Sequence, residues 1–293
     1  MEILSYYTAG NPEYWLEQIG KSDWRAARYL RGTLKEGRFR EQYGLSSDIL
    51  LLADGDRLAS FCTLAEKDEI TDTELTPWIG FVYTFPDYRG QRLAGKLISK
   101  ARETVRETGK DFLYISSEET GLYEKYGAEY RTMMRTRFGE DTRVYRLAAY
   151  GFAGWETADT PAETGEYAGI RTPKDLYNAL WHVWRAETCT PRMRAEWSED
   201  NRTLGQCAVT AFLAQDIFGG KVFGIPLEDG GFHCYNEAGG CKFDLTSEQF
   251  GGRKLAYEKN PEQLRDVHFR REEKRARYEE LKRALKEYTG KQA

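Results

Sequence analysis

The stretch that most constrains this chain is residues 77–103, which reads PWIGFVYTFPDYRGQRLAGKLISKARE. Its apolar run 78–85 predicts a buried strand, and Pro86 ends that strand because proline has no N–H to donate to a sheet. Four apolar residues that follow share one face of a helix: Leu93, Leu97, Ile98 and Ala101. The stretch therefore predicts a strand, a tight turn and an amphipathic helix whose first N–H groups can hold an anion.

The turn between strand and helix, residues 89–95, reads Arg-Gly-Gln-Arg-Leu-Ala-Gly. It contains neither the GxxxxGK(S/T) loop of nucleoside triphosphate sites nor the GxGxxG turn of dinucleotide folds. The hexapeptide RGQRLA instead resembles the acyl-CoA motif (Q/R)xxGx(G/A) of the Gcn5-related N-acetyltransferases (GNAT), with Arg89 first and Ala94 last. Arg92 stands where that family has its middle glycine. Either the loop geometry differs there, or the Arg92 side chain reaches a phosphate.

A strand, a basic turn and a helix also occur together in unrelated folds, so the neighbouring elements must decide. The predicted elements are a strand at 2–7, a helical region at 12–42, a hairpin at 48–65, the stretch above, a strand at 110–115, a short helix ended by Gly127, and a hairpin at 131–147. This order, together with the segment LYEKYGAEY, resembles the GNAT fold. The resemblance implies an α+β domain at residues 1–150, with a mixed central sheet flanked by helices.

The GNAT resemblance implies acetyl transfer from acetyl-CoA to an amine. In that family the central strand splays from its neighbour and pairs with pantetheine, which corresponds to Val82 and Thr84 here. The pyrophosphate would be bound by the turn: Arg89, Gly90, Gln91, Arg92, Leu93, Ala94 and Gly95. Tyr123 matches the family's acid, which protonates the thiolate leaving group. The alternative for Tyr123 is a packed core tyrosine.

The sequence does not identify a general base for the acceptor amine. Asp72 and Glu74 lie just upstream of the central strand and can act through water, but acidic residues before a strand are more often part of a solvated loop. The acceptor is expected to be a small-molecule or peptide amine. The acidic chain favours a cationic amine only through long-range attraction.

Composition and charge argue against several classes of protein. The chain has 43 Lys and Arg against 47 Asp and Glu, so generic nucleic-acid binding has no electrostatic support. No apolar run has membrane-spanning length, and the first residues lack a signal-peptide pattern, so we expect a cytoplasmic protein without a membrane partner. The five cysteines include no CxxC pair, which favours reduced thiols over a disulfide framework.

The second half of the chain predicts a smaller α+β domain at residues 170–293, after a linker at residues 151–169 that is rich in Gly, Ala, Thr and Glu. Cys207 begins an apolar helix, His233 lies on a strand and Asp244 on the next one. This chain order resembles that of papain-like and transglutaminase-like cysteine enzymes. In such a site His233 would deprotonate Cys207, and Asp244 would orient the imidazole.

This half also resembles a small bacterial family called YunG-like, through GQCAVTAFLAQDIFGG, GFHCYN and FDLTSEQFGG. That resemblance implies a domain but no reaction. One alternative is that Cys207, His233 and Asp244 are structural residues. A zinc site that adds Cys234 and Cys241 is disfavoured, because adjacent residues point to opposite faces of a strand. We therefore predict no metal.

The C-terminal tail predicts one long charged helix that starts at Pro261 with Asn260 as its cap. Its sparse apolar stripe consists of Leu264, Tyr278, Leu281, Leu285 and Tyr288. This helix is expected to pack on the second domain, and a partner-binding helix or a homodimer contact is the alternative.

The sequence as a whole predicts an acetyl-CoA-dependent N-acetyltransferase fused to a second α+β domain that has a possible Cys-His-Asp site. Two alternatives stay open. The chain is a thiol hydrolase or acyltransferase centred on Cys207, with the first domain in a cofactor-binding or regulatory role, or it is a binding module without catalysis.

Overall fold

A computed structural model of the protein describes residues 1–228, 230–251 and 253–292. The chain divides into two compact units, Met1–Ala149 and Tyr150–Ala293. Within the described ranges, the first unit is built on a seven-stranded sheet and the second on a three-stranded sheet. None of the helices in the described part of the chain is long and apolar enough to cross a membrane.

The first unit contains one mixed sheet. Its strands are β1 Glu2–Ser5, β2 Asp48–Asp54, β3 Arg57–Ala65, β4 Trp78–Thr84, β5 Phe112–Ser117, β6 Glu129–Arg135 and β7 Asp141–Ala148. They are arranged in the order β1-β2-β3-β4-β5-β7-β6. Among these described strands β4 and β5 run parallel, and every other neighbouring pair is antiparallel. This mixed α+β architecture confirms the predicted fold class.

The helices of the first unit are α1 Pro12–Gly20, α2 Arg25–Lys35, α3 Phe39–Tyr43 and α4 Leu93–Glu107. The predicted helical region 12–42 is thus three helices, and Gly37 separates the last two with a φ of 70°. α4 follows β4 as predicted and buries Leu93, Leu97, Ile98 and Ala101. The segment LYEKYG forms a 3-10 turn at Tyr123–Tyr126, which Gly127 ends in the left-handed region.

The second unit packs helices against a small antiparallel sheet. Its helices are α5 Pro173–Val183, α6 Cys207–Phe218, α7 Arg265–His268 and α8 Glu272–Gln292, and its strands are β8 Lys221–Pro226, β9 Phe232–Ala238 and β10 Cys241–Phe243. β9 is the middle strand of the order β10-β9-β8. The Asn236 amide on β9 donates to the Ala211 carbonyl on α6 over 2.8 Å, which fixes this helix against the sheet.

The segment 151–169 is part of the second unit rather than an extended linker. Phe152 is fully buried, Tyr167 is 3% exposed, and the Phe152 and Tyr177 ring centroids lie 4.9 Å apart. Ala153 forms a β-bridge with Asp244. The segment lacks periodicity because its backbone is irregular, but its aromatic side chains still gain free energy from burial.

The tail differs from the single predicted helix. Residues 261–264 run along the edge of β8, where the Gly224 N–H donates to the Pro261 carbonyl and the Gln263 N–H donates to Val222. The helices begin only at Arg265 and Glu272, and Leu264 is 58% exposed. Pairing with an open sheet edge satisfies backbone groups that a helix start would leave free, so tertiary pairing overrides the local helix signal.

Candidate functional site

A β-bulge in β4 opens the sheet of the first unit. The register of β3 and β4 shifts so that Phe81 and Val82 together face Cys62. Phe81 has a φ of 49°, in the left-handed region that most side chains avoid. A bulge bends and twists its strand. Within the described residues, β4 pairs with β5 only at Trp78 and Ile79. The two strands therefore separate beyond Ile79.

A cavity of about 740 Å³ lies where β4 and β5 separate. It is lined by β4 from Ile79 to Tyr83, by Ser116 and Ser117 at the end of β5, and by Arg89 and Tyr123. Of the two predicted pantetheine contacts, Val82 lines this cavity. The carbonyl of the other, Thr84, accepts a hydrogen bond from Arg89 Nε over 3.2 Å, so the turn reaches back to the end of β4.

In the turn at residues 89–95, Arg92 adopts a backbone conformation that is typical of glycine. Arg92 precedes α4 with a φ of 57°, in the region that glycine occupies without strain. A Cβ on Gly95 would lie 2.7 Å from Tyr126 Cε1, so the helix start needs a glycine there. Gln91 is exposed while Leu93 is 3% exposed and part of the core. The turn therefore offers backbone N–H groups and exposed side chains to a ligand, and not the Leu93 side chain.

Tyr123 lies in the wall of the cavity and is 6% exposed. Burial raises the pKa of its phenol to about 12, although a hydrogen bond with Ser117 acts in the opposite direction. The phenol therefore keeps its proton across the physiological range and can donate it. Its ring also packs 6.0 Å from that of Tyr145, so a structural role accompanies the position in the cavity.

In the second unit the three predicted residues of the thiol site come together. Cys207 is the first residue of α6, is partly exposed and hydrogen-bonds both His233 and Cys234. His233 and Cys234 are both on β9 and both buried. Adjacent residues were expected to diverge from the strand, but both reach the Cys207 sulfur. Cys241, the fourth residue of the disfavoured zinc site, lies apart, with its sulfur 3.5 Å from Asp159 Oδ1.

Asp244 follows β10 and is 1% exposed. Its Oδ2 lies 2.5 Å from His233 Nε2 and accepts from the Tyr257 hydroxyl over 2.8 Å. Its Oδ1 accepts from the backbone N–H and the hydroxyl of Thr246, over 3.1 and 3.2 Å. The Ala153 carbonyl accepts a hydrogen bond from the Asp244 N–H over 3.0 Å. The carboxylate is therefore fixed from several directions, including from the segment that was predicted to be a linker.

Both halves of the chain match known families. Residues 30–131 match the acetyltransferase (GNAT) domain, and residues 172–290 match the YunG protein family. The chain joins a GNAT domain to a YunG domain. A curated relative of the YunG domain, the uncharacterized protein YunG of Bacillus subtilis (strain 168), is 43% identical over 56 residues. That match covers 19% of this chain and 48% of the relative, so it spans about half of the relative's length.

Solved structures resemble about half of the chain. A putative GNAT acetyltransferase from Desulfovibrio desulfuricans is 15% identical with a TM-score of 0.39, covering 50% of this chain and 98% of that one. A GNAT acetyltransferase from Elizabethkingia anophelis with acetyl-CoA bound is 16% identical with a TM-score of 0.36, covering 50% and 97%. The aminoglycoside 6'-N-acetyltransferase from Enterococcus faecium is 13% identical with a TM-score of 0.39, covering 52% and 98%.

The GNAT domain places a different carboxylate in the cavity from those considered in the sequence. Asp72 and Glu74 are exposed and do not line it, whereas Asp68 does. Burial raises the pKa of Asp68, against hydrogen bonds from Ser116 Oγ at 2.9 Å and from the Ile70 N–H at 3.3 Å. Asp68 precedes β4 by ten residues, in an irregular connection whose path the sequence pattern does not give. No signal in the sequence separates it from the acidic residues nearby.

The YunG domain stabilises an ionised thiol. Hydrogen bonds from Cys234 and His233, with the charge of His233, hold the pKa of Cys207 well below its usual value of 9.0 although burial opposes this. Burial opposes the charged imidazole too, but the charge and hydrogen bond of Asp244 raise the pKa of His233 to about 10. The hydrogen bond to Cys207 and burial raise the pKa of Cys234. The arrangement therefore favours a Cys207 thiolate beside a His233 imidazolium.

Sequence reasoning missed the groups that support this thiol site. They are Tyr257 and Thr246 on the Asp244 carboxylate, Gln249 beside His233, and Cys234 beside Cys207. Gln249 Nε2 lies 3.4 Å from His233 Nδ1, and the Phe250 ring centroid lies 4.7 Å from the imidazole. Except for Cys234, these residues lie after β10, in a short 3-10 helix at Ser247–Phe250 or in irregular segments, where spacing alone carries no positional information.

Proposed function

We propose that the GNAT domain is an N-acyltransferase that transfers the acetyl group of acetyl-CoA to a cationic amine. The observation that carries this proposal is the separation of β4 from β5, which opens the cavity beside the turn at residues 89–95. Unpaired backbone groups of a splayed strand can bind an extended amide chain, and a helix N-terminus can bind phosphates. A pantetheine arm and a pyrophosphate present these two chemistries.

The chemical step needs a base for the amine and an acid for the thiolate. Asp68 is suited to accept the proton of an amine because burial raises its pKa toward the working range. Its Oδ2 lies 4.0 Å from the position of a Cβ on Gly80, beside the point where β4 and β5 separate. Tyr123 is protonated and lines the same cavity, so it can protonate the CoA thiolate as that group leaves.

The cavity also favours a positively charged acceptor. Four carboxylates and two guanidinium groups line it: Asp23, Asp68, Glu69 and Glu119, with Arg25 and Arg89. The aromatic rings of Trp24, Phe81 and Tyr83 belong to the same lining. Aromatic faces and carboxylates both attract cations, so this lining supports an amine that carries a second positive charge.

Calorimetric titration of acetyl-CoA into the full chain tests the donor. We expect binding at one site, and weaker binding by Arg89→Ala, because Arg89 links the turn to the end of β4. Arg131→Ala removes an exposed arginine of the same unit that does not line the cavity, and it should bind like the wild type. Absence of binding by the folded chain would contradict the proposal.

The acceptor is tested by following release of the CoA thiol with paired amines. A diamine should be acetylated faster than a monoamine of the same length that carries a carboxylate, because the acidic lining attracts the first and repels the second. Equal rates would contradict a cationic acceptor while leaving the donor assignment intact.

A further inference from the structure

The hydrogen bonds around Asp244 fix the tautomer of His233. Asp244 Oδ2 already accepts a hydrogen bond from the Tyr257 hydroxyl, and Asp244 Oδ1 accepts hydrogen bonds from the backbone N–H and the hydroxyl of Thr246. An ionised carboxylate has only acceptors to offer, so His233 Nε2 must carry the hydrogen of the 2.5 Å contact with Asp244. The other ring nitrogen, Nδ1, which also has Gln249 Nε2 at 3.4 Å, is then the one that can exchange a proton with the Cys207 thiol. This division of roles orients the imidazole toward the sulfur.

The positive groups that face Cys207 come from several elements. His233 lies on β9, and Lys274 at the start of α8 is close enough to interact with both Cys207 and Cys234. Lys274 Nζ lies 2.9 Å from Nδ1 of His268 on α7, and burial together with Lys274 lowers the pKa of His268 to about 4, so His268 is neutral. The N-terminus of α6 adds its dipole. Cys189 also faces the site as a thiol, because burial raises its pKa.

The three residues of the thiol site differ in exposure. His233 and Asp244 are 0% and 1% exposed, whereas Cys207 is partly exposed at the first turn of α6. The Phe232 carbonyl lies 4.0 Å from the Cys207 sulfur, and the Phe232 side chain is 41% exposed. Of these three residues, Cys207 therefore lies nearest to the surface. A structural His–Asp pair in a core has no need of a partly exposed cysteine beside its imidazole.

We propose that the YunG domain contains a second active site, in which Cys207 takes an acyl group from a carboxylic acid derivative and His233 moves the proton. Asp244 is a positioning residue. The substrate class is an acyl donor R–CO–X, where X is a thiol, an alcohol or an amine. This activity goes beyond the N-acyl transfer proposed for the GNAT domain and does not depend on it.

The reaction balances with water as the second substrate. The Cys207 thiolate attacks the acyl carbon, the C–S bond forms and the C–X bond breaks, and HX leaves with the proton that His233 Nδ1 held. Water then gives a proton to Nδ1 and attacks the thioester. The C–S bond breaks, and a carboxylic acid and the Cys207 thiolate are released. The oxyanion formed in each step lies at the start of α6, where backbone N–H groups have no partner within the helix.

The first experiment measures thiol reactivity by residue, using iodoacetamide and peptide mass spectrometry on the full chain between pH 5 and 9. At pH 6.5 an ordinary thiol is about 1% ionised, so full ionisation of Cys207 raises its thiolate fraction about a hundredfold. The lower nucleophilicity of a low-pKa thiolate reduces the gain, and we expect labelling at least about ten times faster than at Cys241. Labelling of Cys207 at the rate and pH midpoint of Cys241 would overturn the proposal.

Asp244→Asn tests the positioning role through the same pH profile. Without the Asp244 charge, the imidazolium is less favoured, the Cys207 thiolate loses its counter-charge, and the midpoint of labelling moves up toward 9.0. A role in folding alone would leave the midpoint unchanged in the folded fraction. Cys241→Ala, a partly exposed cysteine outside the site, is the matched control and should leave the profile as in the wild type.

The second experiment looks for the acyl-enzyme. The full chain is mixed separately with a nitrophenyl acetate ester, acetyl-CoA and an acetylated anilide. After a rapid quench, the mass of the peptide that contains Cys207 is measured by mass spectrometry. An acetyl group on Cys207 that forms at least ten times more slowly in His233→Gln supports the proposal, and the arm that reacts identifies X. No adduct in any arm, or equal acylation of His233→Gln and the wild type, would overturn it.

Discussion

The two units differ in whether the charged forms of their buried ionisable groups are stabilised. In the GNAT domain, Asp68 and Tyr123 line an open cavity, and burial raises the pKa of each, so their charged forms are less favoured than in water. In the YunG domain, Cys207 and His233 contact each other beside Asp244, and the charged forms are favoured. Both sites withdraw groups from water, but only the second supplies a partner of opposite charge.

The difference follows from how the groups are supported. Burial always disfavours a charge, and a counter-charge with hydrogen bonds can reverse the result. Separated groups around a cavity can exchange protons with a substrate that enters between them, which suits general acid–base catalysis. Groups in contact instead generate a nucleophile before any substrate arrives. The predictions below test this contrast, in order of decreasing effect.

Tyr123→Phe should cause the largest change, a loss of about 10²–10⁴ in kcat for acetyl transfer, the range for one general acid. The KM for acetyl-CoA should be nearly unchanged, because only the proton donor is removed. Steady-state kinetics at saturating amine measure both constants. Tyr130→Phe, on an exposed tyrosine of the same unit, is the control. A kcat of wild-type size would show that Tyr123 only packs in the core.

Asp244→Asn should lower the free energy of unfolding by as much as about 3 kcal/mol. This value is at the low end of the range for breaking a buried ion pair, because His233 can release its proton once the Asp244 charge is gone. The pKa of His233 is raised from 6.5 to about 10 in the folded state, so this stabilisation is complete below pH 6.5 and declines as pH rises through 10. Urea unfolding at several pH values measures the difference between variant and wild type.

The control for this pair is Glu237→Gln on the same sheet. Glu237 lies 3.8 Å from Lys242 in an exposed pair, which should contribute less than about 1 kcal/mol. A stability difference for Asp244→Asn that stays constant from pH 6 to pH 10 would show that His233 is not charged. It would also remove the contrast between the two units.

Asp68→Asn should lower kcat for acetyl transfer about 10²-fold by removing the base. In the wild type the rate should rise with pH through a midpoint above 3.8, because burial raises the pKa of Asp68 and only the ionised form accepts a proton. Tyr123 keeps its proton to about pH 12 and does not limit the alkaline side below that. Asp72→Asn, an exposed position outside the cavity, is the control and should retain the wild-type rate.

Gly95→Ala should lower the free energy of unfolding by about 1–3 kcal/mol, because the new Cβ would lie 2.7 Å from the Tyr126 ring. Gly32→Ala provides a matched change in α2, where a Cβ meets no atom within 4 Å in the described structure. There alanine should raise stability by up to about 1 kcal/mol, because it favours helix. Equal effects of the two substitutions, measured by urea unfolding, would contradict the close packing at the turn.

Arg92→Gly should have the smallest effect, and its direction separates the two interpretations of this turn. Glycine relieves a left-handed φ that costs other residues about 1–2 kcal/mol. If the Arg92 side chain binds a phosphate, acetyl-CoA affinity falls despite this relief. If Arg92 only occupies a glycine position, affinity is unchanged or rises. Calorimetric titration of the variant measures which applies.

Most of the GNAT domain could be predicted from the sequence, because its signals are local. Residues close in the chain predict the apolar run of β4, the face of α4, the hairpin at 48–65 and the turn at Gly127. The structure brings together Cys207, His233 and Asp244, which their chain order singled out in the YunG domain, and their catalytic role stays a prediction. In contrast, the position of Asp68 in the cavity was not predicted, because it depends on an irregular connection between two strands.

The sequence alone predicted most strands and helices of the GNAT domain and the candidate residues Tyr123, Cys207, His233 and Asp244, since periodicity and turn residues act over short distances. Only the tertiary structure decided what lies near what. It separates β4 from β5 through a bulge, brings Cys234 as well as His233 to Cys207, and pairs residues 261–264 with an open strand edge. The reason is that these contacts depend on long-range packing and on satisfying buried polar groups, which leave no periodic trace in the chain.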